Sequence, residues 1–263
     1  MCYEDALVVF DKQTVKEEHM RSGNPALNDK TFGQPFDLTV EDDRMTLMGT
    51  VHKTGALLIL LLITAGITWK MVYSGNASVW AFAIGGAIGG LIFALITIFK
   101  PNWAPLTAPI YAALEGLFIG AISAIFEKMF PGIVLQAVGL TFGTLFALLG
   151  AYRSGLIRAT ENFKLGVVAA TGGIFLVYLI SMILGMFGVG VPFIHDSGPI
   201  GIAFSLFVVV IAALNLVLDF DFIENGAEAG APKYMEWVGA FGLMVTLIWL
   251  YIEILHLLSK LRR

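Results

Sequence analysis

The chain has 263 residues, 57% hydrophobic and only 14% charged, with a mean hydropathy of +0.82. Soluble domains average about 25% charged residues, so the composition excludes an ordinary soluble domain and describes an all-α, polytopic membrane protein. The net charge of −4 gives no footing for nucleic-acid binding, and the single cysteine, Cys2, excludes a disulfide framework and Cys/His zinc spacing.

Residues 1–50 read as a polar, flexible cytosolic tail, and residues 51–263 as one transmembrane domain. The stretch up to Thr54 carries six of the sixteen Lys and Arg residues (Lys12, Lys16, Arg21, Lys30, Arg44 and Lys53) and lacks the apolar core of a signal peptide. Met20 offers a second start, from which MRSGNPALNDKTFG reads as a natural beginning. Residues 37–48 are expected to open a short amphipathic helix at the membrane surface.

Seven apolar runs follow: 55–73, 79–99, 105–126, 133–152, 165–187, 200–223 and 237–258. Each approximates the ~20 residues that a helix needs to span the hydrocarbon. The first ends in Trp69, Lys70 and Tyr73, an interfacial belt. The connections are short, and no two-residue alternation suggests a membrane β-barrel. In the second run, Gly85, Gly86, Gly89 and Gly90 form two overlaid patterns of small residues four apart, which read as a close helix crossing.

Eleven Lys and Arg residues lie on the tail's side of the membrane and five on the other. The positive-inside rule therefore puts the N-terminus in the cytoplasm. The ending Lys260-Leu261-Arg262-Arg263 pulls against a seventh crossing, but seven crossings remain the expectation.

No hydrolase elbow, phosphate-binding loop or zinc-protease motif is present, and His19, His52, His195 and His256 are scattered, so no enzyme and no resident cofactor is expected. The chemistry lies in acids at membrane depth, where a charge costs at least ~2.5–3.5 kcal/mol. Residues 215–224 read Asn-Leu-Val-Leu-Asp-Phe-Asp-Phe-Ile-Glu. Asn215 and Asp219 are four apart and share a helix face. Asp221 is about 200° from Asp219 and falls with Glu224 and Asn225 toward the aqueous end. In the last run Thr246, Trp249, Glu253 and His256 form one stripe. Glu115, in the third run, reads as a packing residue.

Asp219 and Glu253 stand out as a pair that could share a proton or bind calcium transiently, since two carboxylates in contact titrate as a coupled unit. Geometry opposes this: ideal antiparallel helices leave the two acids roughly 10 Å apart in depth. An extended sixth helix or an unwound turn would have to absorb the difference.

Leu218-Asp219-Phe220-Asp221-Phe222-Ile223, with LYIEILHLL at residues 250–258, resembles the paired motifs of the Bax inhibitor family, closest to its bacterial branch. Asp219 matches the first family aspartate, with Ile223 four residues on, and Glu253 the second. The resemblance covers about residues 50–260, with the phrase NPALNDKTF in the tail as further support. It implies a seven-helix fold with the last helix central, and a pH-sensitive calcium leak gated by the acid pair, with calcium the permeant ion. It also implies residence in a bacterial inner membrane and, in some members, a membrane-protease partner. Two departures stand out. Glu253 replaces an aspartate, and the family's arginine at the end of helix two has Lys100 as its nearest candidate here, a point charge rather than a bidentate fork. A proton-coupled transporter of a small solute and a non-transporting modulator of a membrane protease are the alternatives.

Overall fold

The structure is a computed structural model and describes residues 44–187 and 198–263. The tail's NPALNDKTF phrase, most of the expected surface helix at 37–48, and the connection holding His195 lie outside the described residues. Among the described residues, seven helices are long and apolar enough to cross a membrane: α1 (Leu47–Tyr73), α2 (Val79–Phe99), α3 (Ala104–Met129), α4 (Ile133–Arg153), α5 (Glu161–Met186), α6 (Pro199–Glu228) and α7 (Met235–Leu261). The protein is therefore all-α and multi-pass. At 27 residues, α7 is long enough to cross fully.

Local chemistry sets the helix ends. The Thr46 hydroxyl caps α1 by accepting from the Gly49 N–H, and Thr160 caps α5 by accepting from the Phe163 N–H. Pro101 opens a single 3₁₀ turn between α2 and α3. Gly230, at φ 66°, lets the chain reverse between α6 and α7.

The last helix is the core. In α7, 78% of the most apolar window is buried, against 11–44% in the other six. It packs on α1, α3, α4 and α6 and reaches α5 through a side-chain hydrogen bond, while α2 packs on α3 and α1. The main cluster around α7 includes Phe222, Phe241, Met244, Leu250 and Leu255.

Glycines let α3 approach both neighbours. A Cβ on Gly86 would lie 2.5 Å from the Leu114 carbonyl oxygen, and one on Gly120 would lie 2.1 Å from the Ala65 carbonyl oxygen. Contacts that short do not occur, so both crossings require glycine. The sequence motif on α2 is thus a packing surface on its Gly86/Gly90 side, whereas Gly85 faces open space.

Candidate functional site

Three polar side chains on α5 recur at seven-residue spacing, so they share one face. Each bonds a side chain on α6 or α7. Lys164 pairs with Asp221 at 2.9 Å. Thr171 Oγ1 accepts from Asn215 Nδ2 at 2.8 Å. The Tyr178 hydroxyl donates to Glu253, 2.9 Å from Oε1 and 3.1 Å from Oε2. Trp249 Nε1 donates to the same carboxylate at 3.2 Å. Beyond it, Lys260 donates to Ser205 Oγ at 2.7 Å and to the Gly201 carbonyl at 3.2 Å, within electrostatic reach of Glu253. From Asp221 to Ser205 this string runs about 24 Å along α6, most of the hydrocarbon thickness.

Asp219 lies beside the string, fully buried, one turn from Asn215 on the same α6 face. Glu253 is 4% exposed. The structure does not bring these two acids to one depth. α6 runs without interruption to Glu228, five residues past the expected end, and contains no unwound turn. Counting from the Lys260–Ser205 contact, or from Tyr178 and Thr171 along α5, puts Glu253 about 10–17 Å from Asp219 along the helix axes. The extension of α6 therefore keeps the offset.

The remaining candidates separate by role. Asp221 accepts from Asn225 Nδ2 at 3.0 Å as well as from Lys164, on the interface with α5. Glu115 lies against Gly90, where a Cβ would come 2.7 Å from its Oε2, which fits the packing role. His256 is exposed and its ring meets Phe126 at 5.6 Å. Lys100 is exposed, its ammonium 4.8 Å above the Trp103 ring. The charge partner of Asp221 is Lys164, one residue before the apolar run at 165, which the sequence reading did not single out; its spacing with Thr171 and Tyr178 was the signal that would have found it. No group of three or more His, Cys, Asp or Glu is gathered for a metal among the described residues.

A second polar cluster escaped the sequence reading. Glu236, 1% exposed at the start of α7, accepts from the Thr46 N–H at 2.9 Å and the Thr46 hydroxyl at 2.8 Å, and it pairs with Lys53 on α1. Met45 N–H donates to the Ala231 carbonyl at 2.7 Å. The start of α1 is thereby stapled to the α6–α7 turn. A glutamate before an apolar run carries no sequence mark of such a partner.

Residues 8–263 match the family model described as Bax inhibitor 1 like. The chain belongs to the Bax inhibitor 1 like family. No curated protein and no solved structure matches it. In this Bax inhibitor 1 like protein, Asp219 and Glu253 are both buried at membrane depth, and each sits at its own level of the α5–α6–α7 interface.

Proposed function

We propose that this protein is a slow, pH-sensitive cation leak, with calcium the permeant ion, and that the path follows the α5–α6–α7 interface. Asp219 and Glu253 act there as successive stations rather than as one touching pair. The observation that carries this reading is the polar string from Asp221 to Ser205, which crosses the greater part of the bilayer's apolar depth. Buried polar and charged groups in a membrane are costly and mark ion pathways. Along this interface Asp219, Asp221 and Glu253 stand against Lys164 and Lys260, so carboxylates outnumber ammoniums and the path favours cations.

The hydrogen bonds along the string support reading this arrangement as the closed one. Opening is a movement of α5, the least embedded helix, with 11% of its window buried. It rests on α6 through a small cluster of Ile174, Val208 and Ile211 besides the polar contacts. Moving it would free Asn215, Glu253 and Asp221 to offer oxygens to a cation, which calcium requires in numbers of six to eight. Protonating the acids removes the attraction, so the leak falls as the pH falls. The resemblance of the NPALNDKTF phrase and the last helix to the family's bacterial branch supports residence in a bacterial inner membrane, and the Lys and Arg asymmetry supports a cytoplasmic N-terminus.

Calcium efflux from loaded proteoliposomes tests the proposal. The expected result is a leak that declines on acidification and is reduced in Asp219→Asn. A leak indifferent to pH, or unchanged in that variant, would exclude the reading.

A further inference from the structure

A groove on another side of the bundle has no part in the polar string. It opens between α1 and α4 and is floored by α3 and α7, with a volume of about 290 Å³. Its walls include Leu58, Leu62 and Trp69 on α1, and Val138 and Phe142 on α4. The polar atoms at its floor satisfy each other, since Ser123 and Tyr251 share a 2.6 Å hydrogen bond. The groove therefore asks for an apolar occupant. From Leu58 to Trp69 it extends about 16 Å, roughly half of the ~30 Å hydrocarbon core, which is one leaflet.

The chemistry changes at the Trp69 end. Trp69 stacks on Tyr73 at 5.6 Å, and the Lys128 ammonium lies 4.9 Å over the Tyr73 ring while donating to the Val72 carbonyl at 2.7 Å. Across the mouth, Arg262 donates to the Pro131 carbonyl at 2.9 Å and to Gln136 Oε1 at 2.8 Å, beside the α4 turn from which Val134 lines the groove. Both cations are exposed. The Glu127 carboxylate lies at the same end, but it is held by the Gly132 and Val134 N–H groups. An apolar slot one leaflet long, opening into the bilayer and ending beside two exposed cations and this one tied carboxylate, has the pattern of one molecule.

We propose that the α1–α4 groove binds an anionic phospholipid, with one acyl chain between Leu58 and Trp69 and the headgroup phosphate between Lys128 and Arg262. The two aromatic rings sit at the boundary between chain and headgroup, where amphipathic rings belong. The floor of the groove is α7 itself, through Leu247, Ile248 and Tyr251, so an occupied groove buttresses the central helix.

The test uses the full chain reconstituted in phosphatidylcholine vesicles doped with a phosphatidylglycerol that carries a photoreactive diazirine midway along one chain. After illumination, adducts are mapped by peptide mass spectrometry. Wild type should be labelled on α1 and α4 groove residues well above the lipid-facing side of α5. Gly66 lines the slot and has open space at its Cβ position, so Gly66→Leu starts from an unobstructed Cβ and extends into the slot. It should cut groove labelling at least about tenfold, the loss expected when two methylene groups lose their burial. Should that variant fold poorly, competition on the wild type decides: unlabelled phosphatidylglycerol should suppress the groove adducts, and extra phosphatidylcholine should not. The double variant Lys128→Gln, Arg262→Gln should lower labelling by the phosphatidylglycerol probe and leave a phosphatidylcholine probe unchanged. Adducts spread evenly over the lipid-facing helices, or equal groove labelling by both probes, would overturn the proposal.

Discussion

Replacing Tyr178 by phenylalanine removes one hydroxyl from the α5–α7 contact and leaves the rest in place. The ring keeps its edge contact with Phe204, 6.3 Å between centroids, and Trp249 still donates to Glu253. What is lost is the single donor that spans from α5 to both oxygens of Glu253. Interhelical hydrogen bonds in membranes average about 0.6 kcal/mol and reach about 1.7 kcal/mol. If that bond holds α5 in its closed position, its loss shifts the closed-to-open ratio by about 3- to 18-fold at room temperature. The first-order rate of calcium efflux from loaded proteoliposomes should rise by that factor, with α-helical circular dichroism unchanged. A rate that stays at the wild-type value, or falls, in a folded Tyr178→Phe protein would refute the argument that this hydroxyl restrains the path.

Two further predictions concern the scaffold. On α2, Gly86→Ala forces a Cβ toward the Leu114 carbonyl and should destabilise the protein by about 1–3 kcal/mol, the usual cost of overpacking. Gly85→Ala, one residue away and facing open space, should be neutral or stabilising by up to about 1 kcal/mol; thermal unfolding in detergent compares the two, and equal losses would contradict the assigned face. Lys53→Ala leaves the buried Glu236 carboxylate with Thr46 as its remaining donor, and should cost about 3 kcal/mol, the low end for breaking a buried pair. The same unfolding measurement reads this, and a change within experimental scatter would show that the α1 staple adds nothing to stability.

Much of the fold was legible because the bilayer imposes a length on each helix. The run 79–99 coincides with α2, and the Asn215–Asp219 face was placed by helical spacing alone. The ends were harder, for a physical reason: apolar runs stop where water begins, but helices do not. α6 continues to Glu228 because its last turns are polar and find partners, with Tyr152 donating to Glu224 and Asn225 to Asp221. α1 starts at Leu47, well before the run at 55, because Thr46 caps it and Glu236 anchors that cap.

The site was half legible. Single acids in apolar runs are visible in a sequence, so Asp219 and Glu253 could be singled out. Partners on other helices are not visible, since nothing local tells Glu253 that Tyr178 will face it. The offset in depth was legible as a count of residues along two helices, and the unbroken α6 preserved it. Lys164 shows the reverse case. It stands just before the apolar run at 165 and so outside the expected span, yet α5 starts at Glu161 and buries it against Asp221.

A double-mutant cycle in the proteoliposome efflux assay tests most directly whether Asp219 and Glu253 are separate stations on one path. Sites more than about 7–10 Å apart with no shared partner act additively within about 0.3–0.5 kcal/mol. Asp219→Asn and Glu253→Gln should each lower the calcium efflux rate, and the double variant should lower it by the product of the two factors, to within about twofold. A double variant no slower than the slower single one would contradict the account, because it would mean that the two acids act as a single touching unit.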